Sequence, residues 1–276
     1  MVIIKDSLRA IRKTYKRFIS IILMALLGVA IFVGINATSD NIANAVGTYF
    51  KQYDIYNLKL ASTLGLTNED LKAVQAIDGI TTAVEVYEKD VLLDINENQY
   101  VVSAMEYNEN LNKVKILEGA IPQKQNEVVI DQKLAQEKNI KIGDKIKLTE
   151  VLEKNENAFL ENAEVVVSGV SETPLYITDE RGTSKLGTGK VDYYLYLSNE
   201  NINSDIYTTI YISTNKVDGL LVESEEYKKE VEALKAKIEG ISEERQKARY
   251  DSLINEATTE VNDAQAKLDK EKAKAE

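Results

Sequence analysis

Apolar and polar positions follow three different rhythms along this chain, and each predicts a different kind of element. From Phe18 to Ile35 the residues are almost uniformly apolar, FISIILMALLGVAIFVGI, inside a window free of charge that runs to Ser39. Eighteen residues of helix extend about 27 Å, close to the roughly 30 Å of a bilayer's hydrocarbon core. A helix also satisfies the backbone polar groups of such a run in lipid. Before it, Ile4, Leu8, Ile11 and Tyr15 recur at helical steps among cations, predicting a helix lying in the membrane interface. The other reading of that segment is a simple topological stop. After it, Ile35, Ile42, Val46, Tyr49 and Tyr53 keep near-helical spacing, so the membrane helix is expected to continue outward as a stalk.

The period changes at Asp54. Alternation from Ile55 to Leu60 reads as a strand, and Thr67 followed by Asn68, Glu69 and Asp70 opens a capped helix through Ile77, ended by Gly79. Strand patterns follow at 81–86, 91–95, 100–105, 114–117 and 128–130, then a short helix at Gln132 to Lys138. Ile140 to Leu148 with a Gly143–Asp144 turn comes next, and further strands at 163–170, 191–197 and 206–213 complete an α+β unit from 54 to 216. Leu152 to Asn162 reads as a loop or short helix. Thr178 to Lys190, rich in Gly, Thr and Ser, is a connection too long for a tight turn.

From Ser224 the chain becomes one long charged helix. Tyr227, Val231, Leu234, Ile238 and Ile241 form a seam at steps of four and three, resumed in a new register by Ile254, Ala257, Val261, Ala264 and Leu268. The stripe predicts a coiled-coil arm whose partner is outside this chain; the other reading, favoured by the mostly alanine seam of the second half, is a single solvated charged helix. Because the sequence stops at KAKAE without a cap, a fragment of a longer protein is expected. The fold class that results is a membrane protein: an N-terminal transmembrane helix with stalk, an α+β extracytoplasmic domain, and a long coiled-coil helix. Its divisions are an interfacial helix at 1–17, the transmembrane helix and stalk at 18–53, the α+β domain at 54–216 and the arm at 217–276.

Charge orients this arrangement. Residues 1–35 carry Lys5, Arg9, Arg12, Lys13, Lys16 and Arg17 against one acid, a net of +5, so the overall −11 places −16 on the remainder. By the positive-inside rule the N-terminus is cytoplasmic and the bulk of the chain lies outside the cell membrane. Those six cations also suit lipid headgroups as membrane partners. An exterior this acidic argues against nucleic acid. A cleaved signal peptide is the competing reading of the apolar run. Its 18 residues exceed an ordinary signal core, and the Ala-x-Ala at Ala43 to Ala45 is far from it.

The chain has no cysteine and no histidine, which removes thiolate chemistry, disulfides, the usual general base and the commonest transition-metal ligand. Short motifs fail one by one. The GTGK at Gly187 to Lys190 lacks the earlier glycine of a phosphate loop, Ser184 standing there, and Val191 replaces the magnesium-binding hydroxyl. Asp94, Asn96 and Asn98 begin like a calcium loop, but Gln99 and Met105 occupy its glycine and glutamate positions. Asp90 with Asp94 is an acidic pair of the kind chance supplies, and Ser168 and Ser171 lack a base. No catalytic, cofactor or metal residue is assigned. Ala30 and Gly34, a small-xxx-small pair, are the candidate helix-packing residues in the span.

Several segments together resemble the FtsX-like permeases of ABC transporters, the MacB and LolC/E group. They are the lead KDSLRAIRKTYKRFIS, the opening GLTNEDLKAVQAIDGI, and ILEGAIPQKQNEVVIDQKLAQEKNIKIGDKIKL with Gly119, Pro122, Asn126, Glu127, Gly143 and Asp144. VVVSGVSETPLYI, with Gly169 and Pro174, follows. The resemblance covers about 1–215, and the arm is similar to the coiled-coil insertion of large permeases of some Gram-positive bacteria. It implies a permease subunit that dimerises, has four or more membrane helices when complete, and works with a separate cytoplasmic ATPase that binds the ATP. The contact with that ATPase would be made by parts absent here. Export, extraction or mechanotransmission are the implied tasks. A membrane-anchored extracellular interaction or scaffold protein is the alternative.

Overall fold

A computed structural model describes residues 9, 12–96, 98–152, 158–204, 206–222 and 224–275. Three parts follow one another: a long N-terminal helix, a two-sheet body, and a long C-terminal helix.

Helix α1 runs without interruption over Tyr15–Gln52. The chain then alternates between two sheets. Strands β1 (Leu58–Leu66), β2 (Thr82–Val86) and β10 (Tyr207–Ser213) make an antiparallel sheet in the order β1-β10-β2. Helix α2 (Asn68–Gln75) packs on it. The expected cap is present as a full capping box, the Asp70 amide donating to Thr67 Oγ1 while Asp70 Oδ2 accepts from the Thr67 amide.

The other sheet contains β3 (Glu88–Ile95), β4 (Asn98–Glu106), β5 (Lys115–Gly119), β6 (Glu127–Asp131), β7 (Lys145–Thr149), β8 (Glu164–Glu172) and β9 (Tyr193–Leu197), in the order β5-β8-β6-β9-β4-β3-β7. Because β7 also pairs with the first half of β8, six of these strands close into a ring, and β5 continues along the free part of the β8 edge. Closure removes most of the exposed strand edges. Two pairings, β4 with β9 and β6 with β8, are parallel. Alternation sorts the side chains: Val91, Leu93, Val102, Ala104, Val128, Ile130, Tyr193, Leu195 and Leu197 fill the interior. Phe159 and Leu160 join that core, their amides held by the Glu150 carboxylate at 2.9 and 2.7 Å. Helix α3 (Gln132–Lys138) adds Leu134. The outward-facing Met105, Val129, Tyr194 and Tyr196 form a second cluster under Leu175 and Tyr176.

The turn expected at Gly143–Asp144 is present, Gly143 taking φ +92°, and the ladder begins at Lys145. Expectation and structure part in two places. The first strand starts later than its alternation suggests and extends to Leu66. The largest correction concerns the arm. Helix α4 spans Glu225–Ala275, but Leu234 and Ile238 are buried with Leu66, Leu71, Val74, Ile210 and Ile212 in the core of the small sheet. Tyr227, Val231 and Ile241 are half-buried beside them. The stripe therefore finds its partner within the chain over its first half, because a three-stranded sheet carrying one short helix leaves an apolar face that a second helix must cover. A boundary at 216/217 cuts through that core. Only the second half, with Ile254, Val261 and Leu268 exposed, remains uncovered by described residues.

Candidate functional site

Helix α1 carries the apolar run bare. Every described side chain from Phe18 to Ile35 is exposed, Leu23 by 59 % and Phe32 by 68 %. A surface of this extent and uniformity is suited to lipid, not water. At 38 residues the helix is about 57 Å long, so roughly half of it is left beyond a bilayer core. Arg9, Arg12, Lys13, Lys16 and Arg17 are exposed at its start, where a bend at Thr14 precedes the continuous helix. Lys5 lies outside the described residues, as do Ile4, Leu8 and Ile11 of the expected interfacial helix. Ala30 and Gly34 are exposed, and no described residue beyond the helix itself comes within 4 Å of a Cβ placed on Gly34. Among the described residues neither has a packing partner from another element.

The stalk meets the body between Gly47 and Asn57. Ile42 of the predicted stripe is exposed, whereas Val46, Tyr49 and Tyr53 are half-buried. A Cβ on Gly47 would stand 3.4 Å from Val222, so the helix runs close to the segment leading into α4. Asp54, at φ +49°, ends the helix, and the next residues are then hydrogen-bonded in turn. The Tyr53 and Asp54 carbonyls accept from the Lys113 and Asn112 amides at 2.9 Å each. The Tyr56 amide donates to Asn112 Oδ1 at 3.1 Å, and Lys113 pairs with Asp54 at 2.6 Å. The Asn57 amide donates to the Ile212 carbonyl at 2.8 Å, while its Oδ1 accepts from the Thr214 amide. Asn57 Nδ2 donates to the Tyr227 hydroxyl at 3.3 Å, which ties in α4. The Tyr56 and Tyr211 rings lie 4.7 Å apart. The β4–β5 loop thus holds Tyr53, Asp54 and Tyr56, while the small sheet and α4 hold Asn57, all within the short segment that follows α1.

Beside this junction is an open cleft of about 730 Å³, lined by Tyr49 of α1, the start of α3 and the strap that follows β8. At its floor Arg181 Nε donates to Asp131 Oδ2 at 2.9 Å and Nη2 to Oδ1 at 3.4 Å. Burial pushes the Asp131 carboxyl above its ordinary value, with the hydrogen bond from Arg181 opposing it. Burial, reinforced by the Glu88 charge, pushes Tyr176 up to about 12. Sequence reasoning missed this pair. Asp131 carries a cap signal, its Oδ1 accepting from the Lys133 amide, but nothing in the strap's composition selects Arg181.

The rejected motifs have ordinary roles. Gly187 to Lys190 form the return of a small hairpin, the Ser184 amide donating to the Gly189 carbonyl. Asp94 accepts from Thr149 at 2.7 Å and Gln99 at 2.8 Å. These hydrogen bonds hold its carboxyl below the usual range, whereas burial raises Asp90. Ser168 donates to backbone carbonyls at Ala120 and Val128. Among the described residues no three acidic side chains gather as a metal site would require.

Residues 18–241 match the family described as MacB-like periplasmic core domain. No curated protein sequence matches the chain. Similar solved structures include the extracellular domain of the noncanonic ABC-type transporter YknZ from Gram-positive bacteria. It shares 15 % identity at a TM-score of 0.36, over 62 % of this chain and 80 % of that one. The periplasmic region of MacB from Actinobacillus actinomycetemcomitans shares 13 % at a TM-score of 0.36, over 65 % and 76 %. The match over most of its length makes this chain a member of the MacB-like periplasmic core domain family, the extracytoplasmic part of FtsX- and MacB-like ABC-transporter permeases.

Proposed function

We propose that this chain is the membrane-entry half of a permease subunit that passes movement from the membrane to its external domain. In this reading α1 crosses the membrane with its N-terminus in the cytoplasm and the two-sheet body stands outside. Two permease subunits associate, and a separate cytoplasmic ATPase binds and hydrolyses the ATP. The chain itself binds no nucleotide and catalyses nothing. The observation that supports this most directly is the junction at Tyr53 to Asn57, where the segment directly following the unbroken helix is hydrogen-bonded to the β4–β5 loop, the small sheet and α4. A helix gripped so closely transmits a tilt or a shift to the body, whereas a flexible tether would not.

Inserting three glycines between Gln52 and Tyr53 in the assembled permease and ATPase tests this. The expected outcome is a basal ATPase rate within about twofold of normal together with at least a tenfold loss of ATP-dependent movement of the body. That movement is read as a distance change between spin labels on the stalk and the barrel of opposite subunits. Unaltered movement would reduce α1 to an anchor and favour a membrane-tethered interaction protein. Orientation is separately accessible because the chain has no cysteine. A cysteine replacing Lys185 should react with an impermeant maleimide in intact cells, and one replacing Lys13 only after permeabilisation; the reverse pattern would overturn the assignment.

A further inference from the structure

The cleft beside the stalk contains a cation-binding arrangement filled from within the chain. Asp131 presents both carboxylate oxygens to Arg181, and the guanidinium lies 5.3 Å from the Tyr176 ring and 5.4 Å from that of Tyr194. Its Nη1 donates to the Thr178 carbonyl at 2.5 Å. A carboxylate fork beside aromatic rings is the general chemistry by which proteins select a guanidinium, through two parallel charge-assisted bonds and cation–π attraction.

The two sides of this arrangement are built differently. Asp131 and Tyr194 are each 1 % exposed, and each is braced without help from Arg181. Asp131 caps α3, and the Tyr194 hydroxyl donates to the Ser171 carbonyl at 2.8 Å. Arg181, by contrast, sits on a strap whose residues from Ile177 to Glu180 are exposed. The strap's hydrogen bonds close mostly on itself: the Val191 amide to the Gly182 carbonyl, the Ser184 amide to the Gly189 carbonyl, and a bridge between Thr183 and Lys190. A rigid receptor faces a cation on a detachable segment. Glu137, Glu172 and Asp179 line the same open cleft against Lys133, and with Lys115 paired to Glu172 at 3.0 Å a small excess of negative charge is left above the pair.

We propose that Asp131 and Tyr194 form a binding site for a guanidinium-bearing ligand, an arginine side chain of a peptide, and that Arg181 is a built-in competitor which yields when the ligand enters. Tyr49 of α1 lines the cleft, which places occupancy next to the stalk. The site stands on its own geometry and does not depend on the permease reading. A tethered competitor acts at an effective concentration in the millimolar range, and a site free a tenth of the time binds about tenfold more weakly.

The test is titration of the full chain in detergent micelles with Nα-acetyl-arginine amide, followed by calorimetry. Arg181→Ala, shown folded by circular dichroism, should bind at least tenfold more tightly than the unaltered chain, and Asp131→Asn in that background should erase the gain. Nα-acetyl-lysine amide, which lacks the fork, should bind at least fivefold more weakly. Affinity no better than that of the unaltered chain would overturn the proposal, as would a gain that survives Asp131→Asn or lysine binding equal to arginine. Where Arg181→Ala does not fold, Arg181→Gln, which keeps donors but no charge, takes its place under the same criteria.

Discussion

A methyl group on Gly169 would sit 2.6 Å from the Ala120 carbonyl and 3.0 Å from that of Glu118, because β5 lies on β8 with backbone facing backbone. Gly119, its partner in the ladder, has φ +77°, and a methyl group there would meet the Ser168 carbonyl more closely still. Gly169→Ala is therefore expected to lower stability by about 1–3 kcal/mol in urea denaturation of the full chain in micelles. At Asp70 electrostatics decide the outcome. Burial tends to raise its carboxyl, but hydrogen bonds from Arg245 at 2.7 Å and from Thr67 outweigh that and hold it below the ordinary value. A depressed carboxyl stabilises the fold while ionised, so the contribution is complete above the unfolded value near 4 and is lost as pH falls through the folded one. Arg245→Ala should cost about 1–3 kcal/mol at pH 7. Chemical denaturation should show that difference shrinking below about pH 4; a pH-independent difference would mean that Arg245 acts by packing alone.

Helix α4 is one element with two environments. Its seam up to Ile241 is set by the small sheet, so Leu234→Ala removes a side chain that is 5 % exposed and should cost about 2–4 kcal/mol. Val261→Ala, at a position 68 % exposed, should change the stability of the isolated chain by less than about 0.5 kcal/mol. Equal costs at both positions would show that the distal half is covered in solution. Helix α1 divides similarly: bare from Phe18 to Ile35 and half-buried from Val46, with the transition near Ala43 where it reaches the body.

At the scale of the molecule the question is whether membrane helix and body move as one. A Cβ on Gly47 would touch Val222 Cγ2 at 3.4 Å, which brings cysteines placed at the two positions near the reach of a disulfide, and no native thiol competes. Oxidised Gly47→Cys/Val222→Cys should form one intrachain bridge, visible as a reducible mobility shift. With the bridge closed, ATP-dependent movement of the body in the assembled permease should persist within about twofold, because it reinforces a contact already made. Loss of movement would show that stalk and body separate during the cycle.

What the sequence determined by itself is what depends on short-range order. The apolar run and its flanking cations, the Thr67 cap, the span of α3, and most strands follow from spacing, caps and turn residues, each local along the chain. The family resemblance rested on the same local motifs, around Gly119 and Gly169. Tertiary structure alone decided which surfaces those elements share. Closure of the barrel through β7 and β8, the seating of Leu234 and Ile238 on the small sheet, the grip on Tyr53 to Asn57, and the meeting of Asp131 with Arg181 all join residues distant in sequence. Periodicity marks a face as apolar without naming what covers it. An aspartate that caps a helix looks the same in sequence whether or not an arginine fifty positions on reaches its other oxygen.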